Sequence, residues 1–332
     1  MNARNVRPLL LLPVIGLLCM ASGVAAQGKP PAGRAYPSKP VRFIIPYPAG
    51  GATDVLSRMV ADRLATQLGQ PVVADNRAGA GGRIALELLA KAPPDGHTIS
   101  LPSSGVAVSA TLIPNLPYNP LRDFAPVTQV AVVPNLLITP ATLPAATLKE
   151  FIALLKAKPG AYNYASGGIG ATNHVSAELF SMVAGVRMTH VPYKSSALAL
   201  TDVISGQIQM ILIGPPAAAP HVQAGRLRAL AIVANKRFAG MPEVPTTAEA
   251  GVAGVDAPNW YGIVVPAGTP KAIIGRLNRE IVAMLKTPEM TKQLLLLGAE
   301  PRPQTPEEFG EFMRQEVDRW AKVIKAANIK AE

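Results

Sequence analysis

The chain has 332 residues, of which 49% are hydrophobic and 16% are charged. This length suits two domains, and this composition excludes both a small disulfide scaffold and a disordered solvating chain. The 32 Lys and Arg residues exceed the 21 Asp and Glu residues, giving a net charge of +11. Because the basic residues are scattered and aromatic residues are few, we expect no nucleic-acid partner.

The first 26 residues are predicted to be a cleavable export signal. Arg4 and Arg7 precede an apolar stretch at residues 8–20, and the small residues at 24–26 suit a signal peptidase. A helix of that apolar stretch spans about 20 Å, less than the roughly 30 Å hydrocarbon core of a bilayer. We therefore expect cleavage before Gln27 and a protein located in the periplasm.

Cys19 is the single cysteine of the chain. Leu18 stands before it, where a lipoprotein acceptor needs a small residue, so we expect no lipid anchor. Removal of the signal leaves no cysteine, and the stability of the mature protein then depends on its core rather than on disulfides. Residues 27–35, rich in Gly and Pro, are predicted to be a mobile leader.

From residue 36 onward, short apolar runs alternate with amphipathic stretches, which predicts an α/β fold with mainly parallel strands. A predicted strand at residues 41–46 leads through a glycine loop into a helix. The apolar face of that helix consists of Leu56, Met59, Val60, Leu64 and Leu68. A second strand at residues 72–74 leads through another glycine loop, residues 77–82, into a helix that is predicted to bury Ile84, Leu88 and Leu89.

The middle of the chain repeats this arrangement. Thr147 and Glu150 form a predicted capping box at the start of a helix. A strand at residues 162–165 is followed by the glycine-rich residues 167–170 and by a helix through Phe180. Two units of strand, glycine loop and helix therefore lie in different halves of the chain.

The remaining predicted strands lie at residues 207–213, 227–233 and 260–265, with a long loop at 236–258. The C-terminal part is helical, and three Thr-Pro pairs are predicted to cap its helices: Thr269-Pro270, Thr287-Pro288 and Thr305-Pro306. The last helix has an apolar stripe that we predict to be core rather than a cofactor site. It consists of Phe309, Phe312, Met313, Trp320 and Ile324.

Motifs for common chemistries are missing from the sequence. The four histidines are isolated, so no metal site is expected. Residues 101–105 and 164–168 resemble a nucleophile elbow but lack its first glycine. Asn173 replaces the third glycine of a dinucleotide loop, and no Gly-Lys-Ser/Thr follows any loop, so no nucleotide is expected. We expect no other cofactor.

With these motifs missing, the sequence is consistent with a protein that binds an anion and catalyses no reaction. Glycine lets backbone N–H groups approach a ligand, and a helix N-terminus places partial positive charge at the same point. One such loop is more often structural than functional. Two of them, one from each half of an exported two-lobed protein, favour a cleft that clamps an anion.

Several ordered motifs resemble those of the Bug family, the extracytoplasmic solute receptors of tripartite tricarboxylate transporters. They are VRFIIPYPAGGATD (41–54), NRAGAGG (76–82), PDG (94–96), LPYNP (116–120), HVPYK (190–194), WYG (260–262) and PAGTP (266–270). The resemblance extends from about Tyr36 to the C-terminus.

The resemblance implies a type II periplasmic-binding-protein fold, α/β and two-lobed, with a cleft between the lobes. Lobe one would consist of residues 36–130 and 259–332, and lobe two of residues 131–258. The implied ligand-binding residues are Tyr47, Gly50, Gly51, Ala52, Thr53 and Asp54 on one side and Gly170, Ala171, Thr172 and His174 on the other. The implied ligand is a small organic carboxylate, and the implied partners are membrane permease subunits or a sensor. We expect a monomer.

Two of these residues have a structural alternative. A carboxylate repels an anion, so Asp54 suits the N-cap of its helix better than a ligand contact. His174 is equally consistent with a buried histidine whose hydrogen bonds are satisfied.

Three departures from the family pattern bear on the ligand. Ala171 stands where a hydroxyl is usual, and Ser195-Ser196 replace two glycines. Ile213-Gly214 replace a common Asp-Asn pair, which disfavours an amino acid and favours an apolar far end of the ligand.

The alternative function is a secreted α/β hydrolase acting on a carboxylated substrate.

Overall fold

The structure is a computed structural model that describes residues 36–331. The predicted export signal, residues 1–26, and the predicted leader, residues 27–35, lie outside the described residues. The described residues form eleven β-strands and ten α-helices. The strands are β1 (Val41–Ile45), β2 (Val72–Asn76), β3 (Thr98–Ser100), β4 (Phe124–Val133), β5 (Asn135–Pro140), β6 (Asn163–Ser166), β7 (Thr189–Pro192), β8 (Met210–Ile213), β9 (Leu227–Val233), β10 (Asn259–Pro266) and β11 (Glu300–Pro301). The helices are α1 (Ala52–Leu68), α2 (Arg83–Ala90), α3 (Gly105–Leu112), α4 (Leu148–Ala157), α5 (Thr172–Ala184), α6 (Ser196–Ile204), α7 (Pro215–Gln223), α8 (Lys271–Leu285), α9 (Pro288–Leu296) and α10 (Pro306–Ala326).

Two separate sheets form the centres of two lobes, which confirms the predicted two-lobed α/β fold. The first sheet has the order β11-β4-β10-β3-β1-β2, and the second has the order β7-β6-β8-β5-β9. In the first sheet β1 is parallel to β2 and β3, whereas β10 is antiparallel to β3 and β4. In the second sheet β6 is parallel to β7 and β8, whereas β5 is antiparallel to β8 and β9.

The chain passes between the sheets twice. It leaves the first sheet at Val133, the end of β4, and enters the second at Asn135, the start of β5. It leaves the second sheet at Val233 and returns at Asn259, the start of β10, after a long loop. The lobe boundaries at residues 131 and 259 stay a prediction, because strand ends mark where the backbone changes sheet and not which residues move together.

Three apolar clusters form the core. One packs the first sheet against α1 and α8, and a second packs one face of the second sheet against α6 and α7. The third joins the two lobes: Val106 of α3, Val175 of α5 and Trp320 of α10 all belong to it. The predicted stripe on α10 lies in this shared cluster, with Phe309, Met313, Trp320 and Ile324 buried and Phe312 partly buried.

Local capping chemistry follows the sequence at three of the four predicted threonine caps. Both reciprocal bonds of a capping box are present at Thr147, with Glu150, and at Thr305, with Glu308. The Thr287 hydroxyl accepts from the Met290 amide at the start of α9. The prediction for Thr269 is wrong. Its hydroxyl donates backwards to the Pro266 carbonyl at 2.7 Å, and α8 begins after Pro270 instead.

Two other expectations are corrected. Ile84 and Leu88 are 47% and 38% exposed, and α2 instead buries Ala85, Leu86 and Leu89. The predicted and the observed buried faces of α2 share Leu89 and both fit the helical period, so the sequence pattern does not distinguish them. Packing against the sheet decides in favour of the face that contains the small Ala85. The strand predicted at residues 207–213 begins only at Met210, in β8.

Candidate functional site

The first glycine loop, residues 47–51, connects β1 to α1. Gly50 has a φ of +84°, which disfavours a residue with a side chain, and Gly51 is the N-cap of α1. Gly50, Gly51 and Ala52 are exposed, whereas Thr53 is buried in the first helical turn. The first amides of α1 therefore lie at the surface where a ligand can reach them.

Asp54 lies in the first turn of α1 and is 4% exposed. The prediction that Asp54 is the N-cap is wrong, because α1 begins at Ala52 and its N-cap is Gly51. The Asp54 carboxylate accepts from the Gly50 amide at 2.9 Å, from Arg58 Nε at 3.0 Å and from Asn76 Nδ2 at 2.8 Å. The hydrogen bond from Arg58 is the largest cause that lowers the pKa of Asp54 to about 2, against the opposing effect of burial. Asp54 thus fastens the loop to its helix.

Tyr47 and Asn76 hold the other end of this loop. Asn76, the last residue of β2, donates to the Tyr47 carbonyl at 3.0 Å. The Tyr47 hydroxyl shares a 2.8 Å hydrogen bond with Ser103 Oγ, and burial raises the pKa of Tyr47. A Cβ added at Gly105 would lie 3.4 Å from that hydroxyl, so the start of α3 packs directly on Tyr47.

Residues 103–105 form a third helix start that sequence reasoning missed. They follow β3, as the first glycine loop follows β1, and the Ser104 hydroxyl donates to the Asn259 side chain. The signal was present in the sequence, because Ser-Ser-Gly after an apolar strand is a helix-start pattern.

The second glycine loop, residues 167–171, connects β6 to α5. Gly168 and Gly170 have φ values of +121° and +75°, and Ala171 is the N-cap of α5. Ala171 and Thr172 are partly exposed. This loop occupies the position in lobe two that the first loop occupies in lobe one, at the carboxyl end of a parallel strand.

Asn173 fixes the second loop to its surroundings. Its Oδ1 accepts from the Gly167 amide at 3.1 Å, and its Nδ2 donates to Ser196 Oγ at 3.0 Å and to the Leu212 carbonyl at 3.1 Å. Asn173, which argued against a dinucleotide fingerprint, therefore links the second glycine loop to the start of α6 and to strand β8.

His174 is 5% exposed, and its Nδ1 accepts from the Gly170 amide at 3.0 Å. Burial, and then the neighbouring His190, lowers the pKa of His174 to about 4. The Gly170 amide is thus occupied within the protein. The amides at 171 and 174 donate to loop and helix carbonyls, which leaves those of Thr172 and Asn173 as the donors at this helix start among the described residues.

Gly170 also takes part in a contact between the lobes. A Cβ there would lie 2.2 Å from Leu112 Cδ2, so the second loop packs against the last residue of α3. The first residue of α3, Gly105, packs against Tyr47. Since a helix rises about 1.5 Å per residue, the two ends of α3 lie about 10 Å apart.

The arrangement of these helix starts suits the binding of an anion better than the catalysis of a reaction. In each lobe, helix N-termini lie at the carboxyl ends of parallel strands, where α/β folds bind ligands. In the described range no three His, Cys, Asp or Glu side chains form a group suited to a metal ion. None of the described helices combines the length and apolarity needed to cross a bilayer.

A family model described as "Tripartite tricarboxylate transporter family receptor" matches residues 56–329. The chain is similar to the protein BugT of Bordetella pertussis, with 38% identity over 322 residues, covering 96% of this chain and 98% of the relative.

Two solved structures with bound solutes are similar as well. Rpa4515 of R. palustris with adipate is 37% identical and covers 89% of this chain and 99% of its own, with a TM-score of 0.77. MatC (Rpa3494) from Rhodopseudomonas palustris with bound malate is 32% identical and covers 87% of this chain and 100% of its own, with a TM-score of 0.73.

Proposed function

Since this chain belongs to the tripartite tricarboxylate transporter receptor family, we propose that it holds a small organic carboxylate between its two glycine loops. The protein is a solute-binding receptor of the periplasmic type, and the hydrolase alternative has no support from its relatives. The ligand-binding residues that we propose are Tyr47, Gly50, Gly51, Ala52, Thr53, Gly170, Ala171 and Thr172. Asp54 and His174 serve this site by holding the loops.

The observation that carries this proposal is the position of α3 between the two loops. Tyr47 packs on its first residue and Gly170 on its last. Each loop begins a helix whose first amides donate to an anion. A solute that bridges these helix starts contacts both lobes and stabilises the closed form over the open one.

An aliphatic dicarboxylate is the solute class that we propose. Two separate helix starts suit two carboxylates better than one. At the end of β8, Ile213 is 7% exposed and Gly214 carries no side chain, so neither residue supplies a charge for a solute amine. The adipate and malate bound by the relatives are both dicarboxylates. Because neither Ile213 nor Gly214 offers a polar side chain to a solute hydroxyl, we expect adipate to bind more tightly than the hydroxylated malate.

We propose that the site performs no chemistry. Ser166 and His190 do share a 2.6 Å hydrogen bond, the spacing of a nucleophile and its base. However, Ser166 is 0% exposed, and its hydroxyl also lies 3.1 Å from both the amide and the carbonyl oxygen of Gly168. A buried hydroxyl with these partners cannot attack a substrate.

A thermal-shift series tests the solute class. Adipate, malate and glutamate are compared with adipamide, which has the length of adipate but no charge. Ligand at 100 times its Kd adds about 2.7 kcal/mol to the free energy of unfolding, so a true solute raises Tm by several degrees. We expect the order adipate, malate, glutamate, with no shift for adipamide. Equal shifts for adipate and adipamide would exclude the anion site.

A second measurement tests catalysis and export. Monomethyl adipate incubated with the protein should be recovered unchanged by mass spectrometry, whereas free adipate would reveal a hydrolase.

N-terminal sequencing of exported protein should begin at Gln27. Retention of the apolar segment, or an acyl group on Cys19, would refute the proposed processing.

The partner is proposed to be a set of membrane permease subunits. Uptake of labelled adipate should then fall when the gene is deleted. Unchanged uptake, together with lost expression of adipate-induced genes, would instead assign the receptor to a sensor.

A further inference from the structure

Two histidines from different elements hold the second glycine loop at its two ends. His174, in the first turn of α5, accepts from the Gly170 amide at 3.0 Å. His190, in β7, bonds through Nε2 to Ser166 Oγ at 2.6 Å, and the Gly168 amide donates to the same oxygen at 3.1 Å. The backbone of the loop is therefore fixed from both sides by imidazole rings.

The two rings are stacked on each other. The ring centroids of His174 and His190 are 3.8 Å apart, and the ring planes are inclined by 10°. Tyr164 of β6 stacks on His190 at 4.9 Å, and these two residues are register partners in the parallel β6–β7 pair. The sheet thus sets the position of one ring, and that ring sets the position of the other.

This geometry requires neutral rings. Two imidazolium cations stacked face to face would repel each other, and burial lowers the pKa of both histidines. Nδ1 of His174 must be unprotonated to accept from Gly170, which places its proton on Nε2. When a second proton binds at Nδ1, an N–H group faces the Gly170 N–H and the hydrogen bond is lost.

The other titratable groups around the pair are engaged elsewhere. The Tyr164 hydroxyl donates to Glu178 of α5, and the Tyr193 hydroxyl donates to Asp202 of α6 at 2.5 Å. On α10, which also packs on α5, the buried Glu316 accepts from the indoles of Trp260 and Trp320. The side chains of α3 in the shared core are apolar.

We propose that His190 and His174 are positioning residues that set the conformation of the second glycine loop for solute binding, and that protonation of the pair releases the loop. This rests on the proposed function, because the loop matters for binding only if it contacts the solute. His190 acts through Ser166 and through the stack, and does not touch the solute.

The pair is first tested without solute. Nitrogen-15 NMR of the histidine rings should show His174 with its proton on Nε2 at pH 7 and a titration below pH 5. The Gly170 amide resonance should move with the same midpoint. A His174 ring that titrates near pH 6.5, or a Gly170 amide that ignores the titration, would overturn the proposal whatever the solute proves to be.

Calorimetry with adipate then tests the connection to binding. His174→Ala removes the acceptor for Gly170 and should weaken binding about tenfold at pH 7. His174→Asn offers an oxygen near the position of Nδ1 and cannot titrate, so it should bind within threefold of wild type. Between pH 7 and pH 4 both proteins should lose affinity as adipate itself takes up protons, and wild type should lose about twofold more than His174→Asn, because about half of its His174 is protonated at pH 4.

His221→Asn on α7 is the matched control and should keep the acid dependence of wild type. Wild-type affinity in a folded His174→Ala protein, or an unchanged acid loss in His174→Asn, would overturn the proposal. If His174→Ala fails to fold, the pH profile of His174→Asn alone decides. If adipate does not bind wild type at pH 7, the proposed solute is wrong, and the NMR titration still decides the role of the pair.

Discussion

Replacing Gly170 with alanine tests the contact between the lobes. The added Cβ would lie 2.2 Å from Leu112 Cδ2, and the φ of Gly170 is +75°. The variant therefore carries a backbone cost of about 1–2 kcal/mol for a left-handed residue with a side chain. It also carries a steric cost of about 1–3 kcal/mol, because Leu112 must leave its rotamer.

The two costs should affect different measurements. The backbone cost is present whenever the loop is folded, so it lowers the free energy of unfolding. By the predicted lobe boundaries Leu112 belongs to lobe one and Gly170 to lobe two, so the overlap should be relieved when the lobes separate. It therefore opposes closure, and we expect the Kd for adipate to rise about 5- to 150-fold, which corresponds to about 1–3 kcal/mol.

Gly160→Ala separates these costs. Gly160 has a φ of +78°, and an added Cβ there meets no atom within 4 Å. Urea unfolding should show a similar loss of stability in both alanine variants, about 1–2 kcal/mol. Calorimetry should show weaker adipate binding in Gly170→Ala alone.

Leu112→Ala completes a double-mutant cycle. It creates space for the added Cβ, so the change from Gly170 to Ala in the Leu112→Ala background should cost little affinity. Leu112→Ala is itself expected to lower stability by about 2–5 kcal/mol, because the side chain is 8% exposed. Wild-type affinity in Gly170→Ala, or an affinity loss that Leu112→Ala does not relieve, would refute a closure contact between these residues.

Three further outcomes are expected. His174 takes up a proton near its ordinary pKa of 6.5 when the protein is unfolded, but at about 4 when it is folded. The free energy of unfolding should therefore fall by up to about 3 kcal/mol as the pH decreases through this window. In urea unfolding, the His174→Asn variant should lack this part of the pH dependence. Asn173→Ala removes three hydrogen bonds and should lower the free energy of unfolding by about 2–4 kcal/mol in urea, with an unchanged midpoint contradicting its fixing role. Glu316→Ala leaves the buried indole N–H groups of Trp260 and Trp320 without their acceptor; differential scanning calorimetry should give a loss of about 2–5 kcal/mol, against little change for exposed Glu311→Ala.

The features that the sequence predicted correctly depend on residues close together in the chain. The capping boxes at Thr147 and Thr305 need side chains only three positions apart, and both are present. Glycine loops after apolar strands are equally local. These signals, together with the spacing of apolar runs, suffice for an α/β fold and for the helix starts at Thr147, Thr287 and Thr305.

The features that the sequence did not predict depend on contacts between distant residues. Ile84 and Ala85 are adjacent in α2, and only packing against the sheet decides which of them is buried. The stack of His174 on His190 follows from β6–β7 pairing. The place of Leu112 against Gly170 follows from the arrangement of two lobes. Periodicity carries no information about such pairs.

The position of β10 in the first sheet determines the order in which the molecule can assemble. This strand begins at Asn259 and lies between β3 and β4, which the ribosome makes more than a hundred residues earlier. Until β10 arrives, β3 and β4 each have an unpaired edge, whereas the strands of the second sheet form one uninterrupted stretch of chain. The second sheet can therefore fold first during synthesis. The first sheet stays open to aggregation through its free edges until the last quarter of the chain is available.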